Sequence, residues 1–585
     1  MGGTGYSASM MPHTSRRFTA LSCLLLAACA QLPHKPDAPP PEAAPAAAPV
    51  ASAPAAPKGE SELLMAAQMA LRNGDCHAAS QNMLAAAMVS REANIASRAA
   101  QTAFGCHQLD IARSAAARWR ELDALNGQAA LAAALVALKR YDLKESREAL
   151  AAWRDSGASG TQDPLQFAES LGQETDPTAL YRVFTDVLVG DDPAAEVLLA
   201  QAQLAFSAQN MQAARLAAQH ALLLDSSLTE ARLIDLRAQS VLGDHDAAIA
   251  GARQLDPKSL SGDDVYLLAD LLDAADREDE AAAELQRLAA QPETRAGAEQ
   301  RLFAMALRNG DLDQAEQHLA VLMSDRANTA LAVLYFAQLA ERRGDDARAV
   351  QSYRLLGDSG MGLTARTAAA RLMIKHGDSS DALALLDEYA QQNPDAALDA
   401  GTARATLLAD AGDLKSALAV LDALDKQYPG DPVLQYTRAT VLETGGRTSD
   451  AVAQFESAVK QRPDDPELLN ALGFTLADHK LRLSHAEDLI RSALAVSPDN
   501  PAIQDSLGWV LYQRGKASQA VPVLARAWQN SGDPEIAAHY GEVLWKTGAQ
   551  GQALYVWQQA LNSDPSAGDL RATMKRLTGE DAAPL

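Results

Sequence analysis

The sequence predicts an all-α protein, a right-handed superhelical solenoid of helix–turn–helix units preceded by a tether that does not fold. Two observations carry this. Apolar residues make up 48% of the 585 but aromatics only 5%, and the apolar share is dominated by Ala and Leu, which suit closely packed helices better than strands. Glycines at Gly310, Gly344, Gly377, Gly412 and Gly446 recur 34, 33, 35 and 34 residues apart, and each is followed five residues later by Ala315, Ala349, Ala382, Ala417 or Ala451. A fixed period of this length marks a repeat array rather than a set of separate cores.

From the N-terminus, residues 1–28 read as an export signal. Arg16 and Arg17 precede an uncharged run from Phe18 to Ala28, a positive flank before an apolar stretch too short to span a bilayer. Met11 is a candidate start, since residues 1–10 add nothing to such a signal. The run ends in Leu26-Ala27-Ala28-Cys29, which resembles the lipobox of bacterial lipoproteins. The resemblance implies cleavage before Cys29 and acylation of that cysteine. Several acyl chains give stable anchoring where one is marginal. Ala30, where an Asp would signal inner-membrane retention, favours the periplasmic face of the outer membrane of a Gram-negative cell. Residues 29–60 are the linker, with nine prolines between Pro33 and Pro57. Extended as polyproline, the stretch from Ala30 to Pro57 reaches about 85 Å.

Residues 61–260 carry the repeat loosely, with Gly74, Ala79 and Met83 and then Ala214, Ala218 and Ala221 still in register; 155–176, rich in Gly, Ser, Asp and Gln, breaks it and suggests a joint. Residues 261–566 carry it clearly. Four residues after each marker alanine comes a large apolar residue: Leu319, Tyr353, Leu386, Leu421 and Phe455, then Leu524 after Gly515 and Ala520, and Trp557 after Gly548 and Ala553. Pro394, Pro429, Pro463, Pro498 and Pro565 close units. An extra residue around Leu481–Ser484 predicts a longer turn there. Residues 567–585 form a cap, with Asp569 to Leu577 helical. This pattern resembles the tetratricopeptide repeat (TPR), in which glycine ends the first helix, alanine permits close helix approach and proline stops the second. One such pair cannot bury its apolar face alone, so neighbours must stack.

A formal charge of −24 repels a phosphate backbone, and no basic stripe offsets it, so nucleic acid is not an expected partner. No GxSxG, HExxH, GxxxxGK or EF-hand pattern is present, and no enzyme activity or cofactor is expected. Gly360-Met361-Gly362 through Ala365 fits a GxGxxA pattern but falls at a repeat junction without a preceding strand, and reads as a turn. Cys76-His77 and Cys106-His107 lack metal-site spacing, so no metal is expected. Cys76 and Cys106 lie near turns of neighbouring repeats and are either a disulfide or two buried thiols.

In TPR arrays the first helix lines the concave face. Counting from the Leu-Gly and Gly markers, that face carries Tyr436, Asn470, Phe474, Asp505, Trp509, Tyr512 and Trp545, in a region denser in aromatics than the rest, and aromatics are the usual anchors of protein interfaces. Asp505 and Glu542 border it, favouring a partner segment with basic residues around an apolar core. Trp528 and Trp557, on second helices, read as packing. Asn470 and Lys546 alone do not make a clamp for a peptide carboxylate. The runs Leu469–Asp478, Asp505–Tyr512 and Pro534-Glu535-Ile536-Ala537-Ala538-His539 resemble a family of outer-membrane TPR lipoproteins, one type of which partners a periplasmic C-terminal processing protease in degrading cell-wall hydrolases. That resemblance implies a non-catalytic adaptor. An assembly factor for a pilus, secretin or exopolysaccharide machine would need the same fold and anchor.

Overall fold

The computed structural model describes residues 59–157, 163–324, 329–357, 359–564 and 567–579. The export signal, Cys29, nearly all of the linker, Pro565 and the tail beyond 579 lie outside the described residues. Among the described residues there are 31 α-helices and no strand. The chain divides into two compact units, with the boundary between Ala133 and Ala134, inside the helix Gly127–Lys139.

The N-terminal unit is built from Glu60–Arg72, Cys76–Val89, Ala93–Gly105 and Leu109–Leu122. Its core is mostly alanine, with Ala67, Ala79, Ala86, Ala96, Ala99, Ala103, Ala112 and Ala115 fully buried, so the helices are held at short range by methyl contacts. Cys76, at the start of one helix, and Cys106, just past the end of the next, have Cα atoms 5.4 Å apart and are joined as a disulfide. Beside them His77 Nδ1 meets Gln108 Oε1 at 2.7 Å. Arg118 donates to the carbonyls of Ala87 and Ser90, tying the second helix pair to the end of the first.

The larger unit repeats one local device. The marker glycines Gly310, Gly344, Gly377, Gly412, Gly446, Gly515 and Gly548 all adopt positive φ, the left-handed conformation that closes a helix and that glycine takes without steric cost. After three of these glycines an Asp side chain caps the next helix: Asp311 accepts from Gln314 N and Asp413 from Ser416 N, each at 3.0 Å, and Asp345 from Arg348 N at 3.2 Å. First helices of the later units open with Asp-Pro: Asp431, Asp465 and Asp533 cap while Pro432, Pro466 and Pro534 occupy the first turn. The expected longer turn lies between Asp478 and Leu483; with no glycine available, Lys480 and Arg482 both take positive φ. Met361 and Gly362 open the helix Gly362–Lys375, so the Gly-rich run is a helix start. The C-terminal helix runs Gly568–Thr578.

Every marker alanine is fully buried, and the large residue four positions on is buried beneath it. In the last three units the first helix presents a glycine to that second helix. A Cβ on Gly473 would meet Ile490, one on Gly508 would meet Leu524, and one on Gly541 would come within 1.9 Å of Trp557 Nε1. Successive first helices lie side by side, as do Pro466–Asp478 with Pro501–Gln513 and that helix with Pro534–Lys546.

Within this unit, segments 288 residues apart meet: Asp499 Oδ2 accepts from Met211 N at 2.9 Å, the Asp499 N–H donates to the Gln209 carbonyl at 3.1 Å, and Arg526 pairs with Asp499 Oδ1 at 2.6 Å. Arg342 likewise donates to the Asn562 carbonyl at 3.1 Å.

The glycine seam makes a paired prediction. Because Trp557 is fully buried and cannot retreat, Gly541→Ala should destabilise the C-terminal repeats by about 1–3 kcal/mol. Gly551→Ala, where nothing lies within 4 Å, should be neutral or stabilising by up to about 1 kcal/mol. Thermal melts of the two variants check this, and equal melting temperatures would contradict it.

Candidate interaction face of the C-terminal repeats

At 100° per residue, positions three before, one after and four after each seam glycine share one side of the first helix, flanking the strip that faces the second. From Gly473 these include Asn470 and Phe474; from Gly508, Asp505, Trp509 and Tyr512; from Gly541, Glu542 and Trp545. Tyr436 holds the equivalent place in Pro432–Thr444. The sequence-derived residues therefore share one face of four neighbouring helices.

Their depth differs from one residue to the next. Trp509 is only 6% exposed, Asn470 8% and Asp505 5%. The Trp509 indole N–H donates to Asp478 Oδ1, one repeat earlier, at 3.2 Å, and its ring stacks on His539, one repeat later, with centroids 4.4 Å apart. Trp509 thus belongs to the packing between repeats, not to exposed surface. Phe474, Tyr512, Tyr436 and Trp545 are half-buried. Tyr436 packs edge-on against Phe455, and Trp545 lies over Trp557, which, with Phe455, is core. Glu542 is not free acid either, because Arg576 of the C-terminal helix pairs with it.

The centre of the face is a residue that the register alone did not single out. His539 Nδ1 donates to Asp505 Oδ2 at 2.8 Å, with Trp509 stacked on its ring and Phe474 tilted against it at 5.8 Å. Burial opposes its charge, but the Asp505 carboxylate and its hydrogen bond, with the charges of Glu535 and Asp478, outweigh that and push the pKa up to about 9. At neutral pH the ring is an imidazolium held between two aromatic faces and a carboxylate. The Pro534–His539 run was visible in the sequence, but His539 falls one position off the expected line.

Three carboxylates that sequence counting passed over supply the acidity. Glu443 is pushed up to about 7 by burial and by the Asp478 charge, against a hydrogen bond from Thr475. Glu467 and Glu535 keep contact with solvent but are closely surrounded by protein. That desolvation, reinforced by Asp176 and Asp465 for Glu467 and by Asp505 and Asp533 for Glu535, pushes each up to about 7. The face combines half-buried aromatics with carboxylates that crowd one another, an arrangement suited to binding and without a nucleophile–base pair. Among the described residues no three His, Cys, Asp or Glu side chains converge as a metal site.

The raised His539 pKa fixes the sign of a pH effect. A base that binds its proton more tightly when folded stabilises the fold fully below its unfolded pKa of about 6.5 and loses that contribution as pH rises through about 9. Wild type should lose on the order of 3 kcal/mol more than His539→Gln between those limits. Denaturant melts at several pH values check this, and identical slopes for both proteins would contradict it.

Comparison with known proteins agrees with the repeat assignment. Two family models of the tetratricopeptide repeat match residues 367–432 and 408–473. Over 244 residues the chain is 30% identical to a TPR repeat-containing protein of Pseudomonas aeruginosa, a match covering 42% of this chain and 41% of that one; the chain thus spans about two fifths of that relative's length. Among solved structures, similarity extends to the APC/C hetero-tetramer Cut9–Hcn1, with 15% identity, 88% of this chain and 96% of that one covered and a TM-score of 0.30. Yeast Tom70 follows with 11% identity, 71% and 94% coverage and a TM-score of 0.35. At such scores no functional likeness follows. Residues 367–473 thus match the tetratricopeptide repeat, whose arrays generally serve as non-catalytic scaffolds for protein–protein interaction.

Proposed function

We propose that the protein is an adaptor anchored by lipid to the periplasmic face of the outer membrane, and that the first-helix face from Tyr436 to Trp545 receives its protein partner. The observation that carries the binding half is the coincidence, on one face, of half-buried Phe474, Tyr512 and Trp545 with the crowded carboxylates Glu443, Glu467 and Glu535. Aromatic anchors ringed by charge are what a specific interface uses. The anchoring half rests on Leu26-Ala27-Ala28-Cys29 and the Pro-rich tether, and the Cys76–Cys106 disulfide suits an oxidising compartment. The resemblance to TPR lipoproteins names the partner to try first, a C-terminal processing protease.

Binding of the purified protein to that protease, read by titration calorimetry, tests the reading together with fractionation of Cys29→Ala. Phe474→Ala and Tyr512→Ala should each weaken binding by about 1–3 kcal/mol with melting little changed, and Cys29→Ala should leave the outer membrane fraction. Unchanged affinity in both aromatic variants would overturn the binding face, and mature Cys29→Ala protein remaining in outer membranes would overturn the anchor.

A further inference from the structure

The same face holds two hydrogen-bond acceptors that the fold itself leaves unused. Asn470 and Asp505 sit at equivalent places, four residues after Pro466 and Pro501, on first helices that lie side by side. Both are more than nine-tenths buried, yet among the described residues Asn470 Oδ1 and Asp505 Oδ1 have no hydrogen-bond partner. Asp505 uses its other oxygen for His539. A buried acceptor without a donor is costly, so two of them in adjacent repeats call for a donor that the described residues do not provide.

Several cations of these repeats are committed to other carboxylates. Arg514 and Lys516 pair with Glu487, Arg526 with Asp499, Arg462 with Asp465 and Arg576 with Glu542. The surroundings ask for positive charge. Glu467 lies one helical turn before Asn470, and Glu535 and Asp478 face the His539–Asp505 pair closely enough to act on it. Neither Glu467 nor Glu535 has an ion-pair partner among the described residues. Half-buried Phe474, four residues after Asn470, offers an apolar wall to an alkyl stem.

We propose that Asn470 Oδ1 and Asp505 Oδ1 form a subsite for one cationic side chain, lysine or arginine, of an extended partner segment laid along the first-helix face. The assignment rests on the reading of that face as the binding surface and specifies what it selects. The head group donates to the two acceptors, Glu467 and Glu535 supply the field, and the stem lies against Phe474.

The test uses the purified full chain and fluorescent twelve-residue peptides that share an apolar background and differ at one central position: lysine, arginine, norleucine or glutamate. Lysine and arginine peptides should bind about tenfold or more tighter than the norleucine peptide, and the glutamate peptide weaker still. Asn470→Leu should erase the lysine-over-norleucine preference without lowering the melting temperature, since it removes an unsatisfied buried acceptor of similar size. Asp505→Asn, which keeps an acceptor for His539, should reduce the preference. Phe474→Ala should weaken every peptide alike. If lysine and norleucine peptides bind equally, or Asn470→Leu leaves the preference intact, the cationic subsite is wrong. Should Phe474→Ala still weaken both peptides in that case, the face itself stands and only the subsite falls. Binding that ignores both Phe474→Ala and Asn470→Leu, or no binding by any peptide, overturns the two together.

Discussion

Two helices can pack at close range only where their facing residues have almost no side chain. In this chain that condition is met once per repeat, by glycine or alanine on the first helix and by the marker alanine on the second. Gly508 above Leu524 and Gly541 above Trp557 leave no room for even a methyl group. The rest follows from this seam. Because the large residue of each pair sits on the second helix, one turn beyond the alanine, the first helix is left with a small-residue side toward its partner and its bulky residues a quarter-turn or so away. Phe474, Trp509, Tyr512 and Trp545 share a face for that reason. The surface proposed for binding lies beside the packing surface, and both are set by one register.

A second constraint acts at longer range within the larger unit. The Asp499 carboxylate is buried and accepts from Met211 N while paired with Arg526, so a helix N-terminus near residue 211 is capped by a side chain from a repeat far along the chain. Glu467 similarly carries the influence of Asp176. The acidity of the face therefore comes partly from repeats distant in sequence, and the crowding that raises these carboxylates toward neutrality would be relieved by a cation from a partner.

How much of this was legible in the sequence divides along physical lines. The seam was readable because it depends on residue size at a fixed period: Gly412 with Ala417 and Leu421 announces a left-handed turn, a close approach and a core residue with no tertiary knowledge. The positions on the face were readable for the same reason. Their depth was not, since it depends on residues about one repeat away that fill the space: Asp478 takes the Trp509 indole N–H from 31 residues back, and His539 reaches Asp505 from 34 residues on. Glu542 read as an acidic border because nothing local showed that Arg576, also 34 residues on, would pair with it. Where glycine was missing at a turn, as at Lys480 and Arg482, composition gave a longer loop but not the two strained backbone positions that close it.

The central claim is that partners meet the first-helix side of the C-terminal repeats and not the outer, second-helix side. A photo-crosslinking residue introduced singly at Tyr436, Tyr512 or Tyr555 of the full-length protein in intact cells measures this most directly. Tyr555, on the helix Gln550–Ser563, is 66% exposed and is the more accessible probe, so accessibility alone favours it. The account predicts one shared partner crosslinked from Tyr436 and Tyr512 and absent from Tyr555; a partner captured from Tyr555 and not from the other two would contradict it.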